Sequence, residues 1–408
     1  MRVLWKLSAG ASLHSPADVA FLLSVTLDTV TTPRSFDEFI GNREAIEHLR
    51  TAIAAGRLPH SLILAGPQGA GKYTLALMLA QAMECERQPR ETSASGAEMA
   101  GFCGECSNCI RIAAAQNLEQ KIEEAVAARE ELRETDKKDT RILIQTHPDV
   151  LIIPPDPPQL LIKIGQVRSL IHSIYYKPGE APRKIYILTA AAFMKEAANA
   201  LLKVLEEPPD YAHLFILAEN PGELLPTIRS RCALVRLGAL PAAELESLLA
   251  THHPEWKPAQ RSLVARLAQG AAGRALSFDL AEYTACRLDA LILLRTAISN
   301  PDHSALFKMT ESYRAGAEGQ QKTVALLRAV SSLLEDILLL QAGTPELIRN
   351  IDIQPELEKL AAAVDFGWIE TASHALDQVE SGLRRNLLRS LSLDAFATQL
   401  TAAAAERS

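Results

Sequence analysis

Residues 66–74 read GPQGAGKYT. Glycines and a lysine at this spacing suit a loop whose backbone approaches an anion. In such a loop, backbone N–H groups and the start of the following helix cradle phosphate oxygens. Gly66, Gly69 and Gly71 take the backbone positions, and Lys72 reaches the outer phosphates. The flanks supply the context this needs. SLILA (61–65) is a short apolar run between Pro59-His60 and Gly66, which reads as a buried strand. Beyond the loop, Leu75, Leu79 and Met83 fall on one helical stripe. One position is irregular. A Ser or Thr directly after the lysine ligates Mg²⁺ in hydrolysing enzymes. Here the residue is Tyr73, whose hydroxyl lies across a rigid ring, and Thr74 is one helical step further, roughly 100° round the axis.

Outward from the loop, strands and helices alternate. SFDEFIG (35–41) has Ser35 and Glu38 in a capping-box pattern, and Ile46, Leu49 and Ile53 then share a helical face. VLII (150–153), KIYILT (184–189), HLFILA (213–218) and ALVRL (233–237) read as strands. Between them, Val167, Leu170, Ile171 and Ile174 mark one helix. Phe193, Ala197, Leu201, Val204 and Leu205 mark another, stopped by Pro208-Pro209. Short apolar strands separated by amphipathic helices predict a parallel α/β sheet covered on both faces. Ligands bind such sheets beyond the carboxyl ends of the strands, where residues 66–74 sit. An ATPase also needs acidic residues at the end of a neighbouring strand, to hold metal and orient water. KIYIL runs instead into Thr189, Ala190, Ala191 and Ala192. Both departures fall on metal chemistry, so the loop is read as a nucleotide cradle without hydrolysis.

The organisation predicted is an extension over 1–34 without folded-domain signals, taken as disordered, and an α/β domain over 35–238. A small helical domain over 239–286 and a larger all-α domain over 287–408 follow, the last with faces such as VALLRAVSSLLEDILLL (324–340). Residues 117–141 are dense in both charge signs with a thin apolar stripe, read as a solvated helical protrusion. With 42 basic and 49 acidic residues and a net charge of −7, the chain is not built to grip nucleic acid by bulk charge. No apolar run approaches the ~20 residues of a membrane helix.

Six cysteines are present: Cys85, Cys103, Cys106, Cys109, Cys232 and Cys286. CGECSNC (103–109) is C-x₂-C-x₂-C, and with Cys85 it offers four thiolates for a structural Zn²⁺ site, a knuckle over 85–109. His147 is an alternative fourth ligand. Clustered cysteines with two isolated thiols indicate metal binding rather than a disulfide framework, and so a reducing, cytoplasmic setting. In Ser230-Arg231-Cys232, an arginine just before a strand is either a surface residue or one that projects toward a neighbouring subunit.

Taken together, GNREAIEHLRTAI (41–53), LPHSLILAGPQGAGK (58–72), CGECSNC, HPDV (147–150), ANALLKVLEEPP (198–209) and LPTIRSRC (225–232) resemble the clamp-loader branch of AAA+ proteins, subunits of bacterial DNA polymerase III. The resemblance covers about residues 35–280 by motif and the helical tail by length and character. It implies an AAA+ α/β domain with a zinc-knuckle insertion, a helical lid and a helical collar that oligomerises. It implies membership of the DNA polymerase holoenzyme, with tau/gamma motor subunits, a delta subunit, a sliding clamp and primed DNA as partners. Cys85, Cys103, Cys106 and Cys109 match the family's zinc ligands. Arg231 matches the arginine finger that acts in trans on a neighbour's ATP, and Arg274 in GAAGRAL (270–276) matches the second-domain sensor arginine. Gly66, Gly69, Gly71, Lys72 and Thr74 would hold ATP or ADP. Tyr73, Thr189 and Ala190 depart from the motor subunits and match the non-hydrolysing stator, with no catalysis of its own. The competing readings are an active motor ATPase and a zinc-based DNA-binding module.

Overall fold

The computed structural model describes residues 33–157, 161–299, 304–311, 313, 316–383 and 389–405. The extension expected over 1–34 therefore lies outside the described residues, apart from Pro33 and Arg34. The chain divides into two compact units, one running to Leu240 and including Ala271–Arg274, the other holding Pro241–Gly270 and Ala275 onward.

The first unit is built on a sheet of β1 (Ser61–Ala65), β4 (Ile144–His147), β5 (Val150–Ile153), β6 (Lys184–Leu188), β7 (Ala212–Ala218) and β8 (Ala233–Arg236), in the order β4-β5-β6-β7-β1-β8. All pairings are parallel except β4–β5. The interior strands are apolar at most positions because both faces are covered, with Ser61, Lys184 and His213 near their starts the main polar exceptions. Leu62, Leu64, Val150, Ile152, Ile185, Ile187, Phe215 and Leu217 enter one core. Ile63, Ala65, Leu151, Ile153, Tyr186, Leu188, Leu214 and Ile216 enter the other. The first core is roofed by α1 (Arg43–Ala54), α2 (Lys72–Glu84), α3 (Ser107–Ala113) and α4 (Leu118–Glu130). The second is roofed by α6 (Ile164–Ile174) and α7 (Lys195–Glu206). Helix α2 is buried at every residue from Leu75 to Glu84, which its almost unbroken run of Leu, Ala and Met permits.

Three expectations are corrected, and three strands were missed. The pair Ser35 and Glu38 does not form a capping box: the Ser35 side chain caps nothing, and Glu38 accepts from the Arg34 N–H at 2.7 Å over a short 3₁₀ turn. Strand β8 is an edge, with Leu234 42% exposed, so one of the apolar strands is not covered. Residues 117–141 are helical as expected, but the first of their helices is docked on the core rather than solvated all round. They form α4 and α5 (Glu134–Asp139), and α4 buries Ile122 and Val126 in the first core. A two-stranded hairpin, β2 (Arg90–Thr92) with β3 (Glu98–Ala100), and the antiparallel strand β4 were not read from the sequence.

The second unit is helical: α9 (Ala242–His252), α10 (Pro258–Leu267), α12 (Leu280–Ser299), α13 (Ser304–Glu311), α14 (Gly316–Gln341), α15 (Gln354–Ala363), α16 (Phe366–Leu383) and α17 (Arg389–Ala405). Helix α11 (Ala272–Leu276) begins in the first unit and ends in the second. The core of the second unit centres on Trp368, Phe396, Leu326, Val330, Leu333 and Ile337. Buried Asp336 accepts from the Arg349 and Asn350 backbone N–H groups, both at 2.8 Å, which fixes the chain entering α15. Among the described residues no helix is long and apolar enough to cross a membrane.

Candidate nucleotide loop and metal centre

Strand β1 lies between β7 and β8, so the loop after it emerges among the carboxyl ends of parallel strands. The Gly66 N–H donates to Ala218 O at 3.1 Å and the Leu237 N–H to Ala65 O at 2.7 Å, which carries the sheet to the loop's edge. Gly69 and Gly71 have φ of +79° and +81°, a region that side chains strain to enter. A Cβ at Gly69 would lie 2.8 Å from the Arg274 nitrogen, and one at Gly71 would lie 2.9 Å from the Phe39 ring. The segment carrying Arg274 therefore lies against the loop, and the Gly273 N–H donates to Gly69 O at 2.9 Å. The structure thus brings Arg274's backbone, Gly69 and Lys72 into one neighbourhood.

Lys72 is the first residue of α2, and its ammonium donates to Gly66 O at 2.7 Å and Pro67 O at 2.8 Å. Burial lowers its pKa, and the charges of Glu219 and Glu223 oppose that shift. A thirteen-residue helix starting at Lys72 leaves its first-turn N–H groups without helical partners. The cradle fits a phosphate. Two positions that hold metal in hydrolysing enzymes carry other groups here. The Tyr73 hydroxyl donates to Ala115 O at 2.6 Å, beneath the loop, and burial raises the phenol's pKa so that it stays a donor. At the end of β6, the Thr189 N–H pairs with Ile153 O, and the residues that follow are Ala190 and Ala191, without a carboxylate.

Helix α2 ends at Cys85, and its Sγ lies with those of Cys103, Cys106 and Cys109 in a cluster in which every pair is within 4.8 Å. Tetrahedral Zn²⁺ with Zn–S of about 2.3 Å requires sulfurs about 3.8 Å apart, so the donor set fits. Cys85 and Cys109 are buried, and Cys103 is half-buried. The Gln88 and Cys103 N–H groups each point at Cys85 Sγ, and the Cys106 N–H at Cys103 Sγ, all at 3.3 Å. Such donors favour the thiolate that binds metal. Helix α3 starts just after Cys106 and carries Cys109.

His147 is not a fourth ligand. Its Nε2 pairs with Asn108 Oδ1 at 3.0 Å, and its Nδ1 accepts from the Asp149 N–H at 3.1 Å. The Asn108 Nδ2 in turn donates to Glu84 O at 2.9 Å. Asp149 accepts from the Gly179, Glu180 and Ala181 N–H groups at 2.7, 2.8 and 2.9 Å. Burial, the largest single influence, raises its pKa, but those three donors hold it below the usual carboxylate value. The HPDV stretch thus ties the cysteine cluster to the sheet, a role its sequence did not announce.

Arg231 follows α8 (Pro226–Arg229) and does not project freely. Its Nη2 pairs with Glu206 Oε1 at 2.6 Å, and its Nη1 donates to Thr227 O at 2.9 Å and Ser230 Oγ at 3.3 Å. Glu206 is the last residue of α7 and lies in the LLKVLEEPP run, which reading by motif left without a role.

Residues 41–241 match the family model described as DNA polymerase III, delta subunit. The chain is 33% identical over 174 residues to DNA polymerase III subunit delta' of Pseudomonas aeruginosa, covering 42% of this chain and 41% of that one. It is 27% identical over 250 residues to DNA polymerase III subunit tau of Escherichia coli, covering 60% of this chain and 32% of that one. The chain therefore spans well under half the length of these curated relatives. Among solved structures it is similar to a DNA polymerase III, gamma subunit-related protein of Thermotoga maritima, at 19% identity and a TM-score of 0.40, covering 86% of this chain and 98% of that one.

Proposed function

We propose that the chain is a clamp-loader subunit of DNA polymerase III, on the strength of its family-model match and its delta' and tau relatives, and that it is the loader's non-hydrolysing stator, the delta-prime subunit. In this reading it holds ATP or ADP at Gly66, Gly69, Gly71, Lys72 and Thr74 without cleaving it, with Arg274 beside the loop. It lends Arg231 to a neighbouring tau/gamma motor subunit. Its partners are those motor subunits, the delta subunit, and through the complex the sliding clamp and primed DNA. The DNA polymerase holoenzyme is the machine it serves.

The observation that carries the reading is the double loss of metal chemistry around an intact cradle. Tyr73 stands where the Mg²⁺-ligating hydroxyl belongs and spends its own hydroxyl on Ala115. The strand that would end in acidic residues ends in Thr189 and Ala190. Phosphoryl transfer rests on positioning and on metal neutralising the developing charge, so a site lacking both metal-holding groups binds without turning over. Zn²⁺ at Cys85, Cys103, Cys106 and Cys109 supplies folding stability when bound, because four thiolates leave no open position for a substrate.

The 250-residue likeness to subunit tau favours a second reading, an active motor ATPase. Magnesium-dependent phosphate release by the purified chain separates the two. We expect none above a Lys72→Ala control. Turnover that Lys72→Ala abolishes would establish the motor reading instead.

A further inference from the structure

Tyr73 has a positive role besides the one it has lost. Helix α2 begins at the phosphate loop and ends at Cys85, a ligand in the cysteine cluster. Helix α3 runs back beside it, starting at the cluster and leading to Ala115. The two helices are tied at both ends. At the cluster end, Gln81 Nε2 donates to Cys109 O at 3.1 Å and Asn108 Nδ2 to Glu84 O at 2.9 Å, with both side chains buried. At the loop end the tie is the Tyr73 hydroxyl on Ala115 O at 2.6 Å. The spacing is consistent with antiparallel packing. Tyr73 to Gln81 is eight residues of helix, about 12 Å, and Cys109 to Ala115 is six, about 9 Å.

We propose that Tyr73 belongs to the metal centre rather than to the nucleotide: its hydroxyl clasps the start of α2 to the chain leaving α3, so that order at the phosphate loop depends on metal bound at the far end of the same two helices. The inference rests on the reading that the four cysteines hold Zn²⁺. Helix α3 has only seven residues, too short to persist unaided. With zinc bound, Cys106 and Cys109 fix its start, and Tyr73 transmits that order to the residue next to Lys72. Without zinc the start of α3 is released, and the clasp becomes the surviving tie at the loop end. A Ser or Thr at position 73 is too short to reach Ala115, so the clasp and a Mg²⁺ ligand are alternatives at one position.

The test uses the purified full chain with its zinc content measured. Release of zinc to a colorimetric chelator is followed for wild type, Tyr73→Phe and Tyr73→Thr. Tyr73→Phe keeps the buried ring and removes only the hydroxyl. We expect it to release zinc between about twofold and about tenfold faster, the change that one net buried hydrogen bond corresponds to. In parallel, hydrogen exchange is measured over residues 69–76 before and after chelation. Wild type should exchange faster there once stripped, and Tyr73→Phe should start fast and respond less. Equal release rates in wild type and Tyr73→Phe, or loop exchange indifferent to zinc, overturn the clasp and leave the stator reading standing. A chain that binds no zinc overturns the clasp through its premise. Tyr73→Thr, too short to reach Ala115, should release zinc at least as fast as Tyr73→Phe, and release at the wild-type rate would also overturn the clasp.

Discussion

Arg231 is held by acceptors on its own chain. Its guanidinium donates to the Thr227 carbonyl and pairs with Glu206, and the two side chains are 33% and 49% exposed. An ion pair this exposed is worth ~0–1 kcal/mol, so exchanging the carboxylate for a neighbour's phosphate meets a small barrier. Arg231→Ala should therefore leave the stability of the isolated chain nearly unchanged. On the proposed reading that Arg231 serves a neighbour's ATP, Arg231→Ala should lower the ATP turnover of a reconstituted loader by less than the ~10³–10⁵ such fingers supply elsewhere. Arg231→Lys should not restore the loss, since an ammonium cannot present the planar fork. Steady-state ATPase of the loader with each variant decides this, and turnover equal to wild type in Arg231→Ala would make the ion pair with Glu206 purely structural.

Helix α4 shows where charge density misleads. Its sequence LEQKIEEAVAARE is charged at six of thirteen positions, yet Ile122 and Val126 are 1% and 2% exposed. Arg129, one turn on, pairs at 2.7 Å with Asp156, itself buried, and Lys163 reaches the same carboxylate at 3.3 Å. The i, i+4, i+7 row was present in the sequence, but its value depended on a carboxylate 27 residues away. Ile122→Ala should destabilise the first unit by ~2–5 kcal/mol through the cavity it leaves. Leu132→Ala, at a side chain 40% exposed, should stay within ~0.5 kcal/mol. Denaturant unfolding of both variants is the check, and equal shifts would return the segment to a solvated arm. Elsewhere legibility followed the same physics. The interior strands were readable because burial on two faces forces apolar runs, and the phosphate loop because its glycines are conformational necessities. Strands of three residues, β2 and β3, carry too few positions for a period to register. The Tyr73–Ala115 and Arg231–Glu206 contacts join residues 42 and 25 positions apart, which local pattern does not encode.

The first of the two units packs a core on each face of its sheet, and that sheet holds a buried histidine whose charging opposes folding. His60 and His213 stand at the starts of the neighbouring strands β1 and β7, stacked with ring centroids 5.0 Å apart. Each ring's Nδ1 faces a carbonyl, Ala212 O at 2.9 Å for His60 and Pro59 O at 3.2 Å for His213. A carbonyl only accepts, so the Nδ1 of His213 carries its proton, and a second proton on that ring would charge a buried side chain. Burial, with the neighbouring His60 and Arg183 adding to it against the Pro59 carbonyl, brings His213 down to about 4. The unfolded chain takes up that proton near 6.5, so it binds more protons than the folded chain between those values. Stability is thus undiminished above about 6.5, and falls by up to about 1.4 kcal/mol per pH unit as the pH drops toward 4. His213→Asn, whose amide can still donate toward Pro59, lacks that slope whatever its effect at neutral pH. In urea unfolding between pH 7 and 4.5, the wild-type free energy should fall relative to that of His213→Asn as the pH drops; a difference that stays constant would place the acid sensitivity of this sheet elsewhere.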